Sequence, residues 1–121
     1  MAELTARTND DGWNNVFRDM LKIHFPTKND VLFVMSVGGG SIKRKISINL
    51  INVIKLARQK KMKIISIVGK SDGYAAKNSD IPIILNISNK KLVTPISESV
   101  QSLIWHSIVS DQRIQKNKTV W

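Results

Sequence analysis

DVLFVMSVGGGSIKRKISINLINVIKLARQK, residues Asp30 to Lys60, sets an apolar run, a turn of three glycines and a long amphipathic segment in immediate succession. Val31 to Met35 is apolar without polar alternation and too short for a free-standing helix, which predicts a strand buried on both faces. The glycines of Ser36-Val-Gly-Gly-Gly-Ser41 let the backbone take positive φ and leave the main chain open to a ligand. Ser41 is expected to cap the helix behind it. Strand, glycine turn and helix start together form a place for a phosphate or an oxyanion, since a helix N-terminus carries unpaired N–H groups and partial positive charge. A plain tight βα turn is the other reading of the same residues. The triple glycine lacks the following Gly-Lys-Ser/Thr of a nucleotide-binding P-loop, and the dinucleotide pattern fails at Ile42 and Lys43.

Outward from this stretch, residues 3–12 read as polar and turn-forming, with Asn9-Asp-Asp-Gly12 the clearest turn signal. Trp13 to Ile23 carries Val16, Phe17, Met20 and Leu21 at helical spacing, with Asp10 or Asp11 as cap and His24 at its end. In the helix after the glycines, Ile46, Leu50, Val53 and Ala57 make one stripe, which Ile51, Ile54 and Leu56 widen. So much apolar girth implies two buried surfaces, a sheet and either another helix or another subunit. Lys63 to Val68 is a second strand leading into the glycine-bounded loop Gly69–Gly73. Tyr74 to Ser79 is a short helical turn. Ile81 to Ile87 is a third strand, which Pro82 places near an edge. Ser97 to Val109 is a terminal helix with Val100, Leu103, Ile104, Ser107 and Ile108 at helical spacing, followed by a polar, basic tail. The order α, β, α, β, α, β, α implies parallel strands with right-handed crossovers, the back part of a doubly wound α/β sheet.

The chain of 121 residues bounds the answer to one domain, core 9–110 and tail 111–121. With 42% hydrophobic and 23% charged residues it is composed like an ordinary folded protein. No apolar run approaches bilayer length, and MAELTARTND lacks the pattern of a signal peptide, so a cytoplasmic protein without membrane partners is expected. The absence of cysteine excludes disulfides, thiolate catalysis and cysteine-based zinc sites. A net charge of +10 brings nucleic acid into consideration. From Val31 to Lys70 there are nine basic residues and no acidic one, but no aromatic residue is interleaved for stacking on bases and no nucleic-acid-binding motif is present. Nucleic acid is therefore the less expected partner, and excess lysine from an AT-rich coding background is the plainer explanation.

The run from Asp30 to Asp80, with ELTARTNDDGWNNVF before it and ISESVQSLIWH after it, resembles the sugar isomerase (SIS) domain of phosphoheptose isomerases. The resemblance implies a flavodoxin-like, three-layer α/β fold with a short parallel sheet. It also implies a phosphosugar partner, the conversion of sedoheptulose 7-phosphate to a heptose 7-phosphate, and a role in heptose supply for lipopolysaccharide or capsule. Carried over by position, Asn9 and Asp10 contact the sugar, and Ser36 and Ser41 match the ends of the family's Ser-Thr-Ser-Gly-Asn-Ser phosphate loop. Val37, Gly38, Gly39 and Gly40 fill its middle, with two hydroxyl donors lost to main-chain N–H groups.

Glu98 stands where the family often carries Gln, and His106 matches the family's histidine eight residues later. The resemblance makes both catalytic and substrate-side residues, and both candidate ligands of a zinc ion. On an ideal helix they lie about 12 Å apart along the axis. A carboxylate and an imidazole suit aldose–ketose isomerisation, one removing the proton beside the carbonyl and the other returning it through an enediol. Read without the resemblance, Glu98 is a helix N-terminal acid and His106 a half-buried core residue.

The family's front portion, with its first strand, its Gly-Gly-Ser sugar loop and a His and Glu of the metal site, has no counterpart in this sequence. The expectation is a domain incomplete by itself and completed by a homo-oligomer or a complementary N-terminal SIS fragment. Three functions follow: a phosphoheptose isomerase or its second half, a non-catalytic phosphosugar-binding module, and a basic nucleic-acid binder.

Overall fold

The computed structural model describes residues 2–117; Met1 and the end of the expected tail, residues 118–121, lie outside the described residues. Three parallel strands, β1 (Val31–Ser36), β2 (Lys63–Val68) and β3 (Ile81–Ile84), lie in the order β1-β2-β3. Val34 stands opposite Ser66, and Ile67 opposite Ile83. Five α-helices accompany them: α1 (Ala2–Asp11), α2 (Val16–Lys22), α3 (Ile48–Gln59), α4 (Tyr74–Asn78) and α5 (Val93–Ser110).

One face of the sheet presents Val34, Ile64 and Val68, which pack with Ile54 and Ala57 of α3, Met62, and Ala75 and Ala76 of α4. Met62 arrives through the end of α3, where Met62 N–H donates to Ala57 O and Lys61 N–H to Arg58 O. That double closure requires a left-handed residue, and Lys61 takes it at φ 58. α5 covers part of the opposite face, completing three layers, and its buried Gln101 donates through Nε2 to Ile67 O at 3.0 Å. Pro82 lies in β3, an edge strand, where its missing N–H costs no ladder bond. Among the described residues no helix is long and apolar enough to cross a membrane.

Several expectations are corrected. Residues 3–12 are helical up to Asp11 instead of turn-like, because Arg7 pairs with Glu3 at 2.9 Å and with Asp11 at 3.7 Å along one side of α1. Only Gly12, at φ 76, breaks the helix. The next segment starts as a 3-10 turn, Trp13–Asn15, and neither Asp10 nor Asp11 caps it; Asn15 Nδ2 donates instead to Asp11 O. β1 is not buried on both faces: Val34 is, but Val31 is 53% and Met35 46% exposed. The broad apolar girth of α3 is taken up by the sheet, α4 and α2, with Asn52 Nδ2 donating to Asn14 O, so α3 by itself asks for no second subunit. The third strand stops at Ile84.

Ion pairs secure the periphery. Asp80, just before β3, accepts from Ile64 N–H of β2 at 2.8 Å and from Arg58 of α3 at 3.0 Å, and the backbone donor above all holds its carboxyl below the usual range. Asp19, buried on α2, is held down to about 2, first by the Arg18 guanidinium and then by Lys22.

Candidate active site

The carboxyl ends of parallel strands are where an open α/β sheet takes ligands, because the loops leave there and helix N-termini converge. β1 delivers Ser36, whose Oγ accepts from Gly39 N–H at 3.1 Å and so closes the glycine turn on itself. Gly39 and Gly40 are buried at φ 69 and 77. Their carbonyls accept from Ala75 N–H at 2.8 Å and Tyr74 N–H at 2.9 Å. The turn thus satisfies the first N–H groups of α4, the helix that follows α3 and β2 in the chain. Gly73 makes that contact possible, since a Cβ there would collide with Gly38 O and approach Gly39 Cα to 2.9 Å. A Cβ at Gly38 would meet nothing within 4 Å, so this is the glycine open to a ligand.

Ser41 does not cap α3. Its backbone pairs with Ile46 in both directions, at 2.9 and 3.0 Å, closing a tight hairpin over Ile42–Lys45, and its Oγ accepts from Arg44 N–H at 3.3 Å. With its main chain committed to that bridge, Ser41 cannot take cap geometry. α3 starts only at Ile48, behind Ser47 at φ 51. Lys43, Arg44 and Lys45 stand exposed in the hairpin, while Lys60, Lys61 and Lys63 lie at the opposite end of α3, so the basic residues form two separate groups.

The far wall is α5. It starts at Val93, four residues before the expected Ser97, with Pro95 in its first turn, where a missing N–H is tolerated. Its buried contacts come through Ser97 and Gln101, not through the expected Leu103 and Ser107; Leu103 is 66% exposed. Ser97 Oγ is buried without a hydrogen-bond partner in the structure and presses on Gly69, where a Cβ would collide with it. A cavity of about 390 Å³ opens between Val37, Lys70, Lys90, Val93 and Thr94. A second, of about 490 Å³, adjoins it through Lys70 and is lined by Ser71, Asp72, Asn86 and Ser88.

The remaining site candidates are not brought into that cavity. Glu98 and His106 are both exposed on α5, and the His106 ring stacks on Trp105 at 3.8 Å between centroids, which corrects the reading of His106 as a half-buried core residue. Asn9 and Asp10 are exposed in the last turn of α1 and make no side-chain hydrogen bond to the glycine turn or α5 among the described residues. A protein zinc site needs three or four donors. Among the described residues no three His, Cys, Asp or Glu side chains come together, so Glu98 and His106 do not form one by themselves. Sequence reasoning missed Lys70, Lys90, Ser97 and Gln101; only the glycine-bounded loop after β2 signalled the first of them.

No family model matches the chain. It is 30% identical over 105 residues to the lincomycin biosynthesis protein LmbN of Streptomyces lincolnensis, covering 86% of this chain and 38% of that protein. It is 37% identical over 84 residues to the phosphoheptose isomerase of Buchnera aphidicola, covering 69% of this chain and 39% of that one. The structure of a phosphoheptose isomerase from Francisella tularensis shares the fold with a TM-score of 0.70 at 24% identity, over 88% of this chain and 54% of that one. The chain thus spans well under half the length of the curated relatives it matches.

Proposed function

We propose that this chain, related to the phosphoheptose isomerases over part of their length, forms the phosphate-side part of a phosphosugar isomerase that interconverts sedoheptulose 7-phosphate and a heptose 7-phosphate. The observation that carries this reading is the shared cavity: Val37 from the turn after β1 and Val93 and Thr94 from the start of α5 line one space at the carboxyl ends of the strands. Gly38 and Ser36 offer main-chain and hydroxyl donors on the turn side. In the reaction one of Glu98 and His106 takes the proton from the carbon beside the carbonyl. The carbonyl oxygen is protonated to give an enediol; a proton then returns to the former carbonyl carbon while the other enediol hydroxyl gives up its proton and becomes the new carbonyl. A zinc ion in the complete site would draw on these two side chains and on ligands from a second copy or an N-terminal SIS segment.

The other wall of the site comes from a second copy or an N-terminal SIS segment. The uncovered side of β1, where Val31, Phe33, Met35 and Ile65 face Trp105, Ile108 and Val109 across an apolar groove of about 530 Å³, is where added structure would pack. A cytoplasmic role in heptose supply for surface polysaccharide fits this chemistry. A second reading, a non-catalytic phosphosugar-binding module, is favoured by the exposure of both Glu98 and His106.

The test is a thermal shift with sedoheptulose 7-phosphate together with a turnover assay. The isomerase reading expects a shift that is lost in Ser36→Ala and weakened in Ser41→Ala, and turnover that is lost in His106→Ala. Binding without turnover under any complementation would leave the binding module as the function.

A further inference from the structure

We propose that the cavity between the glycine turn and α5 is an anion site built on Lys70 and Lys90, which together take the phosphate end of the ligand. The anion site stands on the geometry of the cavity; only the organic part of the ligand rests on the phosphosugar reading. Lys70 comes from the loop after β2 and Lys90 from the 3-10 turn before α5, and both line the same space of about 390 Å³. Both are exposed and, like Lys43 and Lys45, belong to no ion pair among the described residues; what sets them apart is that they line one cavity. No carboxylate lines the cavity. Two ammonium groups on the lining of one cavity repel each other when no carboxylate stands among them, and an anion held by both turns that repulsion into two charge-assisted contacts.

The start of α5 has the same sign. The first turn of the 18-residue α5 contains no acidic residue, and Leu92 ahead of it supplies no side-chain acceptor. The positive end of its dipole therefore adds to the lysines. The glycine turn, by contrast, is partly committed: Gly39 N–H goes to Ser36 Oγ and the carbonyls of Gly39 and Gly40 go to α4. The lysines supply the positive charge that this turn lacks. The adjoining cavity shares Lys70 and presents Ser71, Asp72, Asn86 and Ser88, all hydrogen-bonding groups. The two together suit an open-chain polyol with a phosphate at one end, the polyol running past Lys70 toward Asn86 and Ser88.

The experiment titrates inorganic phosphate into the full chain at low ionic strength, reading amide shifts by NMR. The variants are Lys70→Gln, Lys90→Gln, both together, and Lys43→Gln with Lys45→Gln as a control in the exposed hairpin. Each single change should weaken binding about tenfold and the pair should abolish saturable binding, while the control and the melting temperatures stay unchanged. Phosphate binding that survives the double change, or that falls equally in the hairpin control, overturns the proposal. Sedoheptulose 7-phosphate binding no tighter than inorganic phosphate, with both still dependent on Lys70 and Lys90, upholds the anion site and refutes the phosphoheptose reading.

Discussion

Replacing Gly73 by alanine tests whether the glycine turn is held in place by α4. Gly73 has an ordinary extended backbone, φ −68 and ψ 157, so alanine adds no torsional strain and gains about 0.4–1 kcal/mol from a less flexible unfolded chain. Its Cβ, however, would run into Gly38 O and the Gly39 backbone, neither of which is a flexible side-chain end. Relief means moving the turn away from α4 and lengthening the bonds from Tyr74 to Gly40 and from Ala75 to Gly39, each about 1 kcal/mol, on top of about 1–3 kcal/mol of overpacking. The net loss is about 2–4 kcal/mol, a large part of the stability of a domain this size. Urea unfolding followed by circular dichroism and tryptophan fluorescence measures it. Gly38→Ala, with open space at its Cβ, is the control and should stay within about 0.5 kcal/mol of the parent. A Gly73→Ala chain as stable as the parent, or a Gly38→Ala chain equally weakened, refutes the packing argument.

Lys61→Gly relieves the left-handed strain at the end of α3 and should raise stability by about 1 kcal/mol, seen as a higher melting temperature. The Asp19 carboxyl, lowered from 3.8 to about 2, adds stability that is fully present above about pH 4 and lost as pH falls toward 2. Asp19→Asn should therefore flatten the stability profile between those values in acid titrations of the unfolding midpoint. His106→Ala should change stability by less than about 0.5 kcal/mol, because the ring is exposed, while removing isomerase turnover from the completed site. A large loss of stability in that variant would mean that His106 serves packing instead.

The parallel α/β order was legible because it rests on local pattern. β2 has its expected bounds, Lys63–Val68, and β1 runs one residue past the expected Met35, since short apolar runs bounded by polar residues leave little choice. The misreadings came where one segment's conformation is decided by another residue's main chain. Asn9-Asp-Asp-Gly12 has turn chemistry, yet ion pairs from Arg7 carry the helix to Asp11. Ser41 has cap chemistry, yet its backbone pairs with Ile46. At the site, the glycines were read as a phosphate cradle, and Gly38 fits that, but Gly39 and Gly40 also serve α4 through a contact that only the fold creates. Lys70 and Lys90 are separated by a helix and a strand in the chain, so nothing in their spacing announces that they share a cavity. Likewise the two residues of α5 that are buried, Ser97 and Gln101, are polar, and so are hidden from a search for hydrophobic stripes.

In the proposed site a sugar phosphate sits at the carboxyl ends of the three strands, between the glycine turn and α5. Mapping amide shifts across the full chain during titration with sedoheptulose 7-phosphate tests it most directly. Saturable changes are expected at Gly38, Gly40, Lys70 and Thr94, with Lys60 to Lys63 at the opposite end of the sheet unmoved. Changes confined to the basic residues 43–45 and 60–63, or none that saturate, would contradict it.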